Sequence, residues 1–234
     1  MSAGGVAAAQ LADQRAGGGA TPAPALQELR VRPVRARVVG SLLKRHHYLH
    51  SMPGGTQLAF GVFAGARLLG AITLGVGPKN AHRLVRDAEQ DDCLTLTRLW
   101  LDDRLGPNSE SRVLGIVLRA LKRDTHVRFV LSYADPAHGH IGTIYKAANW
   151  IYTGLSEGTP LYDLGDGLPR HSRSLGHAYG TRSIAYLRSR GINVRLVTQA
   201  GKHRYIYPLD RGVRERLTVP ILHYPKREAP DGDR

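Results

Sequence analysis

The chain has 234 residues, 42% of them hydrophobic, and a single cysteine, Cys93. That suits one domain with a substantial core, or at most two small ones, and excludes an intrachain disulfide or a cysteine-built zinc site. A formal net charge of +14 favours a polyanionic partner over a passive basic surface or a site for a phosphorylated cofactor.

No apolar run approaches the roughly 20 residues of a membrane-spanning helix, so no membrane partner is expected. Residues 1–26 are rich in Ala and Gly but lack the basic start and apolar run of a signal peptide; they are expected to be disordered. The folded domain is expected over residues 27–225, and a charged tail over 226–234.

Residues 28–34 alternate and predict an edge strand. Residues 35–48 predict a helix, with Val38, Val39, Leu42, Leu43 and His46 on one face. It closes on Lys44-Arg45-His46-His47-Tyr48-Leu49-His50. A continuing helix puts His46 and His50 on one face. With Asp135, His138 and His140, that is one way to build an iron-type His/carboxylate site, with His47 and Asp135 as candidate ligands. The plainer reading is a helix end whose basic side chains complement the dipole. A metal-free catalytic role for His47 lies between the two.

Residues 58–63 and 67–74 predict two antiparallel strands joined at Gly65, and 78–90 a polar connection. Residues 93–101 predict a strand with Cys93, Thr95, Thr97, Leu99 and Leu101 on one face, and Arg98 and Trp100 on the other. After a turn at 102–108, an amphipathic helix runs over 109–123, which Asn108 or Ser109 can cap. A helix start directly after a strand offers free N–H groups to an anion, although every helix needs capping.

Residues 129–154 carry the densest chemistry. Phe129 to Leu131 is a short apolar run that suits a buried strand. Asp135-Pro136 ends it, because Pro cannot donate to a ladder. After His138, Gly139 and His140, the spacing of Ile141, Ile144, Tyr145 and Ala148 predicts a short helix to about Trp150, and 151–153 a second strand. This is a βαβ pattern. Ligands bind outside the carboxyl ends of such strands, where Ser132, Tyr133, Asp135, His138 and His140 fall, with Tyr145 one helical turn on.

Residues 155–170 predict loop, 181–190 a helix, and 193–198 with 203–209 a final hairpin. Between residues 171 and 209, Arg173, Arg182, Arg188, Arg190, Arg195, Lys202 and Arg204 follow one another with no acidic residue. Tyr179, Tyr186, Tyr205 and Tyr207 are interleaved. Cations suit phosphates and aromatic faces suit bases, so nucleic-acid contact is expected here, through Arg173, Arg182, Arg188, Arg190 and Arg204.

The order of these elements resembles the GNAT acyl-CoA transferase superfamily. That likeness implies an α/β fold, a single domain with a mixed central sheet flanked by helices, and a CoA pyrophosphate at the loop and helix of residues 105–112. The usual glycine-rich pattern is absent there; the chain has Gly106-Pro107-Asn108-Ser109-Glu110-Ser111-Arg112. That stretch resembles the phage Mom family. So do Arg45-His46-His47-Tyr48, Leu96-Thr97-Arg98, Ser132-Tyr133-Ala134-Asp135 and Gly142-Thr143-Ile144-Tyr145-Lys146-Ala147, in the same order.

The family modifies adenine in phage DNA to an N6-carbamoylmethyl form that resists restriction. The resemblance implies a DNA-modifying transferase working in the host cytoplasm with acetyl-CoA or another CoA-type donor. It implies catalytic roles for His47, Tyr48, Asp135 and Tyr145, and cofactor contacts from Arg98, Asn108, Ser109, Ser111 and Arg112. Each has a plainer reading: a core tyrosine, a helix cap, a surface strand residue.

The N6 amine is a poor nucleophile, so a base must take its proton; Asp135 and His47 are available. Tyr145 can donate a proton or hold water, and Tyr48 or Tyr133 can stack on a base flipped out of the duplex. Plain acyl transfer leaves an N6-acetyl group, not the family's product, and an iron centre is one candidate for the difference. The alternatives are a GNAT acyltransferase acting on another amine, and a non-catalytic basic DNA-binding protein.

Overall fold

The structure is a computed structural model that describes residues 29–226. The expectations for residues 1–26 and 227–234 lie outside them. In chain order the strands are β1 (Leu29–Pro33), β2 (Thr56–Ala64), β3 (Arg67–Gly75), β4 (Cys93–Leu101), β5 (Phe129–Ala134), β6 (Ile151–Leu155), β7 (Thr159–Asp163), β8 (Arg195–Gln199) and β9 (His203–Pro208). The α-helices are α1 (Ala36–His46), α2 (Ser109–Asp124), α3 (Thr143–Ala147), α4 (Ser172–Tyr179) and α5 (Ile184–Ser189).

Seven strands form a mixed sheet in the order β1-β2-β3-β4-β5-β9-β6, and β7 pairs with β8 in a separate two-stranded sheet. β1 to β4 run as an antiparallel meander, and β5 joins β4 in parallel. The expected mixed α/β class holds.

Alternation along the strands sends neighbours to opposite faces. Val130 packs in the core that α2 covers with Val113, Leu114, Val117, Leu118 and Leu121, an apolar stripe at helical spacing. Phe129 and Leu131 pack on the other side with Val85, Cys93, Ile206 and Val213. α1 adds Val39 and Leu43 against Ala59 and Ala71.

Several expectations need correction. Residues 193–198 and 203–209 do not pair as a hairpin. β8 pairs with β7, which lies inside the stretch expected to be loop, while β9 inserts antiparallel between β5 and β6. The predicted βαβ unit is therefore split by a strand from 50 residues further on, because β9 presents the apolar Tyr205 and Ile206 that a buried central position requires. α1 stops at His46, and His47 is extended at its C-cap. His46 and His50 thus share no helix face: His46 stacks on Trp100, and His50 turns to φ 44° with Nδ1 at 3.2 Å from the Lys44 carbonyl. The helix α4 was not expected.

β4 departs most from its predicted faces. Its register on β3 passes from Leu74↔Leu96 to Thr73↔Arg98, which leaves Thr97 as the extra residue of a β-bulge. Beyond Thr97 the parity flips, and Leu99 and Leu101 join the core of Leu94 and Leu96 instead of the side of Cys93. A bulge bends its strand and re-aims its side chains. Pairing with β5 covers only Cys93–Thr95 against Phe129–Leu131. Past that point the two strands part and leave a wedge at their carboxyl ends.

Candidate active site

The wedge holds two cavities with a common wall. The smaller, about 370 Å³, is bounded by His47, Ile141, Gly142 and Tyr145. The larger, about 720 Å³, is bounded by Lys79, Leu84, Glu157, Lys202 and Arg204. Tyr48, Leu96, Thr97, Arg98, Tyr133 and Asp135 line both. The structure therefore brings four predicted catalytic residues and Arg98 to one place, from α1, β4, β5 and α3. Gly142 is needed there: its φ is 78°, and a Cβ would meet the Tyr205 ring at 2.5 Å.

Asp135 is 5% exposed at the end of β5. Its Oδ1 accepts the Ala137 N–H at 3.1 Å, and its Oδ2 lies 2.7 Å from Lys202 Nζ. Burial pushes the carboxyl up, but the Lys202 ammonium, the Ala137 N–H and His138 outweigh it and hold it below its ordinary range. At neutral pH it is a carboxylate.

Tyr145 is buried between Trp150 and Tyr205. Ser132 Oγ donates to its hydroxyl at 2.7 Å. Burial pushes the phenol up to about 12, so it keeps its proton. With the oxygen accepting from Ser132, the phenolic hydrogen is left for the cavity. Tyr145 is a donor here, not a base.

His47 is buried as well. The Leu49 N–H donates to its Nδ1 at 3.1 Å, so the neutral ring carries its hydrogen on Nε2. Burial first, then Arg98, His140 and His50, hold its pKa down at about 4. Of the two bases the sequence offered, His47 is a neutral donor at its free nitrogen and Asp135 is the carboxylate. Tyr48 stacks on His47 at 4.5 Å and is 46% exposed, leaning toward His138 and His140.

The candidate iron set does not fit. Among the described residues, no three His, Cys, Asp or Glu side chains converge as ligands of one ion. Both Asp135 oxygens and His47 Nδ1 already have partners.

A CoA-type donor fits better. Where β4 and β5 part, their facing edges no longer pair with each other, and unpaired strand edges can bond an extended amide chain. Arg98 stands in the shared wall, bonded to the Ser51 carbonyl at 3.3 Å, Ser51 Oγ at 3.2 Å and the Thr97 carbonyl at 2.7 Å. Asn108, Ser109, Ser111 and Arg112, at the start of α2, line neither cavity. Asn108 takes the N-cap position at φ 65° without a side-chain cap, Ser109 bonds the Gly106 carbonyl at 2.8 Å, and Ser111 bonds the Asn108 carbonyl at 3.1 Å.

The basic residues divide into two sets. Lys202 and Arg204 belong to the cavity; Arg204 is bonded to Thr153 Oγ1 at 2.8 Å. Arg173, Arg182, Arg188, Arg190 and Arg195 lie on a satellite of β7, β8, α4 and α5 with its own core of Leu175, Leu187 and Val194. Arg182, Arg190 and Arg195 are exposed, and Arg188 bonds the Val194 carbonyl at 2.9 Å.

Sequence reasoning missed the Asp135–Lys202 pair, the Ser132–Tyr145 bond and the Thr97 bulge. Lys202 was visible only as one more cation in a basic run.

Comparison with known proteins bears on this geometry. The Mom protein family model matches residues 28–226. The methylcarbamoylase mom of Escherichia phage Mu is 30% identical over 208 residues, covering 86% of this chain and 85% of that protein. Among solved structures, a GNAT family N-acetyltransferase (YhbS) from Escherichia coli in complex with CoA aligns at TM-score 0.43 and 12% identity, over 82% of this chain and 87% of that one. A spermidine N-acetyltransferase from Vibrio cholerae in complex with CoA and spermine aligns at 0.41 and 8%, over 78% and 96%.

Proposed function

The chain belongs to the Mom protein family, and on that premise we propose that it is a DNA-modifying transferase that alters the N6 amine of adenine, as carbamoylmethylation, with a CoA-type donor. The observation that carries this reading is the common wall of the two cavities, Tyr48, Arg98, Tyr133 and Asp135, where a donor on one side and an acceptor on the other would meet.

In this reading Asp135 takes the N6 proton; it is ionised, buried and next to Lys202, which balances its charge. Tyr145 donates its hydrogen to developing negative charge, held in place by Ser132. His47 supplies a second donor through Nε2, and Tyr48, the exposed ring of the group, offers a stacking face. A CoA-type donor, when bound, would supply a two-carbon unit, held by Arg98 and the parted edges of β4 and β5; acyl transfer to N6 with loss of the CoA thiol accounts for an N6-acyl adenine, and the amide nitrogen of a carbamoylmethyl group would come from a separate amine donor. No step is assigned to iron. The exposed arginines of the satellite hold the DNA backbone.

Mass spectrometry of nucleosides from DNA co-expressed with the protein tests the reading. A modified deoxyadenosine that disappears with Asp135→Asn supports it. Unmodified DNA from cells making folded wild-type protein overturns it.

A further inference from the structure

The two cavities are not equivalent, and their difference assigns the substrates. We infer that the larger cavity receives the flipped adenine nucleotide and the smaller one the reactive end of the donor. This rests on the DNA-modifying reading above and adds to it which face of the sheet meets DNA.

Charge is the first reason. Beyond the shared Arg98, the larger cavity adds three cations, Lys79, Lys202 and Arg204, against Glu157, whereas the smaller adds no Lys or Arg. A nucleotide brings its phosphates with it, while a thioester end does not. The second reason is pairing of functions across the sheet. Tyr133 and Arg204 are register partners on β5 and β9, so a ring and a guanidinium stand side by side on the face of the larger cavity. That is the combination a stacked base and its phosphate call for.

The third reason is continuity. Residues 156–160 and Ala200 line the larger cavity and not the smaller, and they lead into and out of the satellite that carries the exposed Arg182, Arg190 and Arg195. Chain continuity thus joins the satellite to the larger cavity, through 156–160 and Ala200, and not to the smaller. Ile141, Gly142 and Thr143, which line the smaller cavity, belong to the loop and helix after β5 and not to the satellite. Size also separates the two cavities: about 720 Å³ is in the upper part of the range for ligand sites, ample for a base with its sugar and phosphate. Lys79, which no expectation singled out, is then a further cation of that cavity, and an exposed one.

A single-stranded oligonucleotide carrying one 8-azidoadenine tests this with the full-length protein. Irradiation, proteolysis and mass spectrometry are expected to find an adduct within 79–84 or 156–160, stretches that line the larger cavity and not the smaller; an adduct on Tyr133 alone, which lines both, counts against the inference. An adduct within 139–145, or none at all, overturns the inference; if co-expressed DNA is still modified, the function stands and only the assignment of sides falls. A second measurement does not depend on photochemistry. Lys79→Glu, on an exposed residue, is expected to weaken oligonucleotide binding by about tenfold and leave acetyl-CoA binding unchanged. The reverse pattern, or no change in either ligand, overturns it.

Discussion

Lys202 Nζ lies 2.7 Å from Asp135 Oδ2, joining the start of β9 to the end of β5 across the mouth of the site. Burial pushes the carboxyl up, and the Lys202 ammonium, helped by the Ala137 N–H and His138, more than offsets it and holds the group below its ordinary range. Removing the ammonium as Lys202→Met is expected to raise the Asp135 pKa. The acid limb of the pH–activity profile should then move up by about one unit. An unshifted limb means that Lys202 does not set the charge of Asp135.

Asp135→Asn and Tyr145→Phe are nearly isosteric. Each is expected to reduce DNA modification by about a hundredfold or more, because each removes a group that handles a proton in the proposed reaction. The Phe variant loses one buried hydrogen bond, to Ser132, at a cost of about 1 kcal/mol. Melting temperatures near wild type with activity lost are the expected pair of results. Lowered melting with activity retained in the folded fraction indicates a structural role instead.

Ser132→Ala separates positioning from structure at the same bond. It leaves the Tyr145 phenol in place but removes the donor that orients it. Turnover is expected to fall about tenfold with the KM for DNA unchanged. A rise in KM alone contradicts this.

Acid stability reports on His47. Its folded pKa, about 4, lies below the ordinary 6.5, so the unfolded chain binds the extra proton between those values. Its contribution is complete above pH 6.5 and is lost as pH falls through 4. The loss can reach about 3 kcal/mol. Urea melts at pH 7.5 and 4.5 should show a smaller difference for His47→Asn than for wild type. An equal difference assigns the acid lability elsewhere, the half-buried His203, whose pKa burial also lowers, being the next candidate.

Arg98 ties the Ser51 loop to β4 and stands between the cavities. Calorimetry with acetyl-CoA is expected to show binding by wild type that weakens at least tenfold in Arg98→Ala, the worth of one charge-assisted contact. Equal binding by both removes Arg98 from the donor site.

DNA affinity is expected to fall steeply with salt. Neutralising Arg190 should lower the slope of log affinity against log salt by about one, whereas Arg188→Ala should also loosen the satellite, since that guanidinium holds the Val194 carbonyl. A flat salt response contradicts the electrostatic account.

Local chemistry made much of this protein legible before its fold. Pro136 had to end a strand, so Asp135 had to stand at a carboxyl end, and the stripe from Val113 to Leu121 had to be one face of a helix. Motif order carried the family, which comparison over most of the chain supports. What spacing could not show was contact between distant segments. β8 and β9 are neighbours in the chain with strand-like patterns, and a hairpin is the default for such neighbours. Their separation was decided by which sheet could bury Tyr205 and Ile206.

The sequence by itself determined which residue types could do chemistry, because strand ends, caps and helix faces follow from each residue's neighbours in the chain. Only the tertiary structure decided their states. His47 is a neutral donor because the Leu49 N–H meets its Nδ1 inside a buried pocket. Tyr145 keeps its proton because α3 is pressed against Trp150 and Tyr205. Asp135 is held below the ordinary carboxylate range because β9 threads back and sets Lys202 beside it. Protonation depends on dielectric and on charges a few ångströms away, and those distances come from packing, not from sequence spacing.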